Sequence, residues 1–350
     1  MNKVELIQTV RALLADNKGL LAMDESISTC NKRFAALGIP QTEEMRRRYR
    51  ELLVTTPYLN ESISGAILFD ETIRQQKSDG TQFIEILINA GIIPGIKVDM
   101  GAKPMVEFPG EKLTEGLDGL PARLAEYSKM GARFAKWRAV LAIGEGIPSK
   151  ECIKANAQAL ARYAQFCQEA GLVLIVEPEV MMTGNHSLKK CAEITEEVLQ
   201  TVFEQLYKQH VLLEGMLLKP NMILPGLNSK IPETVDGIAE ATVSCLLKVV
   251  PKAVPGIAFL SGGQSAELAS ARLNAMNKQY KAELPWALTF SFGRALQEPA
   301  LEIWRGEDAN TVKAQRALKH RADCNRAACM GNYNSKIEQG FWQEEDGNRR

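Results

Sequence analysis

The sequence predicts an α/β protein folded as a closed (β/α)8 barrel of parallel strands, and three observations carry that reading. Short apolar runs bounded by glycine recur along the chain, separated by longer stretches of helical periodicity, which is the alternation of a parallel sheet. Eight such runs can be counted, the number that closes a barrel. At 350 residues the chain is long for one ordinary core, yet within reach of a single barrel, which takes ~250 residues plus insertions. Residues 1–350 therefore read as one barrel domain that ends in a helical region and a polar tail from about residue 331.

In chain order the runs are 19–24 (GLLAMD), 65–70 (GAILFD), 92–99 (IIPGIKVD), 132–138 (ARFAKWR), 172–179 (LVLIVEPE), 215–221 (GMLLKPN), 257–263 (IAFLSGG) and 286–293 (WALTFSFG). Between the later runs, apolar residues at three- and four-residue spacing predict helices over 117–130, 150–170, 188–208, 232–250 and 264–280. Gly131, Gly171 and Gly215 follow such stretches as helix-ending glycines do. A last helical region runs from Arg294 to about Met330, and the polar stretch 108–115 reads as a loop or insertion. No fixed-period repeat and no linker between domains interrupts the series.

The placement of charge says more than its amount. Lysine plus arginine equals aspartate plus glutamate, 42 each, so no global field draws the protein to nucleic acid or an anionic membrane. Charged or hydroxyl residues instead close almost every run: Asp24, Asp70, Lys97 with Asp99, Lys136 with Arg138, Glu177 with Glu179, Lys219, Ser261 and Ser291. In a parallel barrel these ends converge on one mouth, where active sites are built. No segment has the uncharged apolar length of a membrane span, and charges interrupt the first thirty residues as they would not a signal peptide. The seven cysteines are odd in number and scattered, which fits reduced thiols in a cytoplasm.

Lys219 is the most informative of these residues, because an amine ends the otherwise apolar run at LLKPN. An amine among apolar groups and other cations gives up its proton more readily, and the neutral form can attack a carbonyl. Alternate residues of a strand face the same side, so Lys136 with Arg138 and Glu177 with Glu179 are expected to face the barrel interior, beside Asp24 and Lys97. There they fit either proton donors and acceptors for Schiff-base chemistry or structural ion pairs, and the sequence holds both readings open. The last two runs lead through Ser261-Gly262-Gly263 and Ser291-Phe292-Gly293-Arg294 into helical patterns. Glycine turns that open helices offer backbone N–H groups to an anion, and Arg294 adds a guanidinium. A second set, Ser28, Thr29, Lys32 and Arg33, follows the first run. Two anion sites on opposite sides of one mouth suit a bisphosphate.

Other chemistries find little support. His186, His210 and His320 are the only histidines and none stands at ligand spacing with another, so no metal site and no cofactor is expected. P-loop, dinucleotide and nucleophile-elbow motifs are absent.

Across nearly the whole chain the sequence resembles the class I fructose-bisphosphate aldolases, especially their plant plastid and cyanobacterial branch. The strings that carry the resemblance are LLAMDES (20–26), SGAILFDET (64–72), PGIKVD (94–99), GLDGL (116–120), GARFAKWR (131–138), IVEPE (175–179), LLKPNM (217–222), FLSGGQS (259–265) and TFSFGRALQ (289–297). The resemblance implies a Schiff-base nucleophile at Lys219, a general acid and base at Glu177 supported by Glu179, a carbinolamine-stage cation at Lys136, and a role in C3–C4 cleavage for Asp24. It assigns Ser261, Gly262, Gly293 and Arg294 to the C1 phosphate, and Thr29, Lys32, Arg33, Lys97 and Arg138 to the rest of the sugar and the second phosphate. A sugar bisphosphate substrate, no metal, a homo-oligomer of tetrameric habit and a cytoplasmic setting follow from the same likeness. Two departures stand out. The chain ends Asp346-Gly347-Asn348-Arg349-Arg350 where many members have a terminal tyrosine that speeds proton exchange at C3, and Ser28 stands in a turn where relatives carry glycine. A transaldolase-like transferase and a sugar-phosphate-binding protein without turnover are the competing readings.

Overall fold

Each of the eight apolar runs forms a strand of one sheet in the computed structural model, which describes residues 2–340. The strands are β1 (Gly19–Ala22), β2 (Ile63–Leu68), β3 (Ile93–Lys97), β4 (Ala102–Pro104), β5 (Lys112–Thr114), β6 (Phe134–Leu141), β7 (Val173–Val180), β8 (Met216–Leu218), β9 (Gly256–Phe259) and β10 (Ala287–Phe292). The barrel runs β1-β10-β9-β8-β7-β6-β3-β2 and closes where Leu20 of β1 pairs in parallel with Ser291 of β10. The pair β4–β5 stands outside it as an antiparallel hairpin, Ala102 opposite Thr114. Part of the expected loop 108–115 is therefore strand. Asn156 fixes it, donating to Lys112 O (2.8 Å) and accepting from Thr114 N (3.3 Å).

Helices α1 (Lys3–Leu14), α2 (Ile27–Ala36), α3 (Glu43–Val54), α4 (Asp70–Ile73), α5 (Phe83–Asn89), α6 (Leu120–Met130), α7 (Lys150–Glu169), α8 (Leu188–Lys208), α9 (Val235–Val249), α10 (Ala266–Tyr280), α11 (Arg294–Trp304) and α12 (Thr311–Cys329) surround the strands. Their starts are written locally: Ser26, Thr42, Ser149, Ser187, Thr234 and Ser265 each accept a hydrogen bond from a first-turn N–H. The expected last helical region is two helices, because Arg305 and Gly306 adopt left-handed backbone angles (φ 49° and 82°). A side chain at 306 would also sit 2.8 Å from Met45.

Two apolar cores hold the barrel. One lies between the strands and the outer helices. The other fills the interior with Leu20, Ala22, Ile67, Phe134, Ile175, Leu217 and Ala258, and it is completed by Leu6, Val10 and Leu13 of α1. Helix α1 thus closes the end of the barrel where the strands begin, packing on residues 213–215 just ahead of β8. Glycine makes this possible, since a Cβ at Gly65 or Gly256 would fall 2.7 Å from Leu13 or 2.5 Å from Leu14.

The polar tail begins with structure. Residues 335–340 are helical, Asn334 caps them, and Glu338 accepts from Arg321 (2.5 Å) and Tyr333 (2.6 Å). The chain end at Asp346–Arg350 lies outside the described residues. Among the described residues no helix is long and apolar enough to cross a membrane.

Candidate active site

β1, β2, β8 and β9 stop before the polar residues that end their runs, whereas β3, β6, β7 and β10 carry Lys97, Lys136 with Arg138, Glu177 with Glu179, and Ser291 within the strand, and all of these side chains gather at the open mouth. They line one cleft of about 1230 Å³, and its wall carries Asp24, Thr29, Lys32, Arg33, Lys97, Lys136, Arg138, Glu177, Glu179, Lys219, Ser261, Gly262, Ser291, Gly293 and Arg294.

At its floor the charges form a chain of contacts. Lys219 follows β8 directly, and its N–H still donates to Val176 O of β7 (2.8 Å), so the strand register fixes where the side chain emerges. Its Nζ lies 3.1 Å from Glu177 Oε1. Lys136 Nζ, from β6, lies 3.0 Å from Glu177 Oε2 and 2.6 Å from Asp24 Oδ2. The Lys136–Glu177 approach is off the line of a hydrogen bond, leaving Oε2 without a directed donor. Lys136, Glu177 and Lys219 are each 3% exposed, a setting that punishes an unpaired charge. Burial alone raises the Asp24 carboxyl, but Lys136, Lys219 and Lys97 together pull it well below its ordinary range. Glu177 follows the same balance: burial raises it, and Lys136, Lys219 and Arg138 bring it below its ordinary value. For Lys136 burial works downward and is overcome by Asp24, Glu177 and Asp99, so the ammonium is retained. Arg138 pairs with Glu179 one step up the same strands, and Lys97 with Asp99. An amine, a carboxylate within proton-transfer reach and a fixed ammonium suffice for adding an amine to a carbonyl and expelling water.

The anion-binding rim is built after β9 and β10. Gly262 and Gly263 have left-handed angles (φ 59° and 91°), and a Cβ on Gly263 would lie 3.2 Å from the Arg294 guanidinium. Glycine there lets the turn and the guanidinium share one corner. Helix α11 starts at Arg294 with no side-chain cap, so its first N–H groups are open to an anion. Ser291 Oγ is buried at the same corner without a partner among the described residues.

One expectation is corrected. The cluster on α2 does not sit across the mouth from this corner, because closing the barrel makes first and last strands neighbours. Arg33 contacts Glu25 Oε1 (2.6 Å), and that oxygen lies 3.8 Å from where a Gly293 Cβ would be. The cations across the mouth are Lys97 and Arg138, on β3 and β6. Glu25 was missed from sequence although it stands beside Asp24 in the MDES string, as was Ser26, which lines the cleft and caps α2. Away from the cleft, His320, Cys324 and Glu338 bring ligand atoms within 4.8 Å of one another, but the Glu338 carboxylate already serves Arg321 and Tyr333.

A family model described as fructose-bisphosphate aldolase class-I matches residues 5–346. The chain belongs to that family. As a class I aldolase it is an aldehyde-lyase, and its similarity to other members spans almost its full length. It is 53% identical over 334 residues to a probable fructose-bisphosphate aldolase class 1 of Xanthomonas campestris pv. campestris, covering 95% of this chain and 99% of that protein. It is also 53% identical to the cytosolic fructose-bisphosphate aldolase 5 of Arabidopsis thaliana, covering 94% and 91%. Equal identity to a bacterial and a plant cytosolic aldolase separates no branch of the family. Among solved structures, the aldolase of Plasmodium falciparum, determined with TRAP and a small-molecule inhibitor, superposes with a TM-score of 0.93 at 47% identity, covering 95% and 96% of the two chains.

Proposed function

We propose that this aldolase reversibly cleaves fructose 1,6-bisphosphate to dihydroxyacetone phosphate and glyceraldehyde 3-phosphate through an imine on Lys219. The observation that carries the reading is the buried Lys219–Glu177–Lys136–Asp24 chain at the floor of a cleft rimmed by anion-binding turns.

The Lys219 amine adds to the C2 ketone, Glu177 relays protons as the carbinolamine loses water, and Lys136 holds the negative charge that develops beside it. The protonated imine then draws electrons. Loss of the C4 hydroxyl proton, assigned to the Asp24 side, breaks C3–C4; the aldehyde departs and its bonding pair becomes the enamine on Lys219. Protonation at C3 and hydrolysis free dihydroxyacetone phosphate and restore the amine. Ser261, Gly262, Ser291, Gly293 and Arg294 are read as the grip on one phosphate. Thr29, Lys32, Arg33, Lys97 and Arg138 are assigned to the remainder of the sugar and the second phosphate.

Borohydride added with dihydroxyacetone phosphate should leave a reduced adduct on Lys219, located by peptide mass spectrometry. Folded protein with no modified lysine would overturn the reading. Lys219→Met should keep the fold and lose both adduct and turnover.

We further read residues 1–350 as one domain, since α10, α11 and α12 pack on one another and α12 also reaches the barrel. A homo-oligomer, tetrameric by family likeness, and a cytoplasmic setting are proposed too, the latter supported by relatives from Arabidopsis thaliana and Pisum sativum named cytosolic or cytoplasmic.

A further inference from the structure

Arg33 and Glu25 on the cleft wall form a triad with Arg50, a residue behind the wall that the reaction scheme does not use. Glu25 Oε1 faces Arg33 (2.6 Å) and accepts from Gln297 Nε2 (2.9 Å), while Oε2 accepts from Arg50 (2.7 Å), which also donates to the Glu25 carbonyl (3.2 Å). Arg50 sits on α3, is 2% exposed and does not line the cleft. Its neighbour Tyr49 donates to Gln297 Oε1 (3.0 Å), and Gln297 donates to Ala22 O (2.6 Å) at the end of β1. One helix thereby holds both the loop after β1 and the start of α11.

The charge arithmetic gives this arrangement a purpose. A lone Arg33–Glu25 pair would be neutral, and an arriving phosphate would compete with a carboxylate for the guanidinium. Arg50 supplies a second cation to that carboxylate, so the triad carries one positive charge in excess. Of the two arginines only Arg33, with a quarter of its side chain exposed, reaches the cleft. Burial by itself would raise the Glu25 carboxyl, and Arg50 and Arg33 hold it below its ordinary value, so it stays a charged anchor.

We infer that Arg50 is a positioning residue: by holding Glu25 from behind, it presents Arg33 to a substrate phosphate as a cation in excess. The inference rests on the aldolase reading above and adds to it a residue outside the cleft.

The test compares Arg50→Met and Arg50→Lys, each alone and with Arg33→Met, by steady-state cleavage of fructose 1,6-bisphosphate. Arg50→Met should raise KM about 10-fold with kcat changed less than about 3-fold, as loss of a binding interaction does. In the Arg33→Met background the same change should add less than about 2-fold, because the effect passes through Arg33. Arg50→Lys, which keeps the charge, should restore most of the affinity. An unchanged KM in Arg50→Met, or an equal rise with and without Arg33, would overturn the inference. If Arg50→Met does not fold, Arg50→Gln carries the same cycle, since it removes the same charge and keeps a hydrogen-bond donor near Glu25. Borohydride trapping on wild-type Lys219 in parallel keeps failure of the aldolase reading separate: wild type that forms no imine refutes that reading, whereas trapped wild type with an additive cycle refutes only the role of Arg50.

Discussion

Glu177 touches two ammonium groups, and Asp24 touches only one of them. The two carboxylates should therefore fail at different steps. Glu177→Gln removes the relay next to Lys219 and should slow imine formation by ~100-fold or more, read as the rate of borohydride-trappable adduct. Asp24→Asn leaves the Lys219–Glu177 contact in place. It should still trap the imine while losing C3–C4 cleavage by a similar ~100-fold factor, and equal loss of trapping in both variants would contradict the division of labour. The residues of this floor were legible because a lysine or glutamate closing an apolar strand is conspicuous whatever it contacts. Glu25 was not: its meaning depends on Arg50 and Gln297, which are 25 and 272 positions away.

At the scale of elements, the helices from residue 117 onward were read from their apolar spacing, and α3 was overlooked. In its sequence EEMRRRYRELLV, Met45, Tyr49, Leu52 and Leu53 keep helical spacing and are buried, but the buried face also carries two arginines, Arg46 on Glu71 (2.7 Å) and Arg50 on Glu25, where a run of arginines reads as a solvated face. Helix α1 was overlooked for another reason. Leu6, Val10 and Leu13 keep helical spacing, but nothing local says that they enter a barrel closed by strands from the whole chain. Leu13→Ala should cost about 3 kcal/mol by emptying that interior. Gly256→Ala, forcing a methyl toward Leu14, should cost about 1–3 kcal/mol. Both are measured by chemical denaturation, with KM unchanged because the substitutions lie at the end away from the cleft. A KM shift equal to that of a cleft variant would contradict the separation of the two ends.

For the molecule as a whole, closure accounts for what the sequence could and could not give. Counting strands was enough to place their ends on one mouth, but the neighbour relation of β1 and β10 exists only in the closed ring, hence the misplacement of the α2 cluster. The buried charges also set the pH range of stability. Asp24, Glu25 and Glu177 titrate below their ordinary 3.8 to 4.5 when folded, so their contribution is complete above about 4.5 and is lost as pH falls. On the alkaline side, burial lifts the Cys152 thiol from 9.0 to about 11 and the Cys245 and Cys329 thiols to about 12. Groups raised in this way stabilise fully below 9.0, and their contribution fades as pH rises through the folded values; Lys136 adds to the decline above its ordinary 10.5. Burial also lowers His186 and His320 from their ordinary 6.5, so their contribution is complete only above that value, and denaturation midpoints should be level between about pH 7 and 9 and fall on both sides. A midpoint that peaks outside that window would contradict the balance.

The stopper that α1 forms at the base has a kinetic meaning as well. With that end shut, the vessel has one doorway, and substrate, both products and the water of each half-reaction must share it. On the proposed scheme, the aldehyde and, after hydrolysis, dihydroxyacetone phosphate leave by the same opening through which water enters.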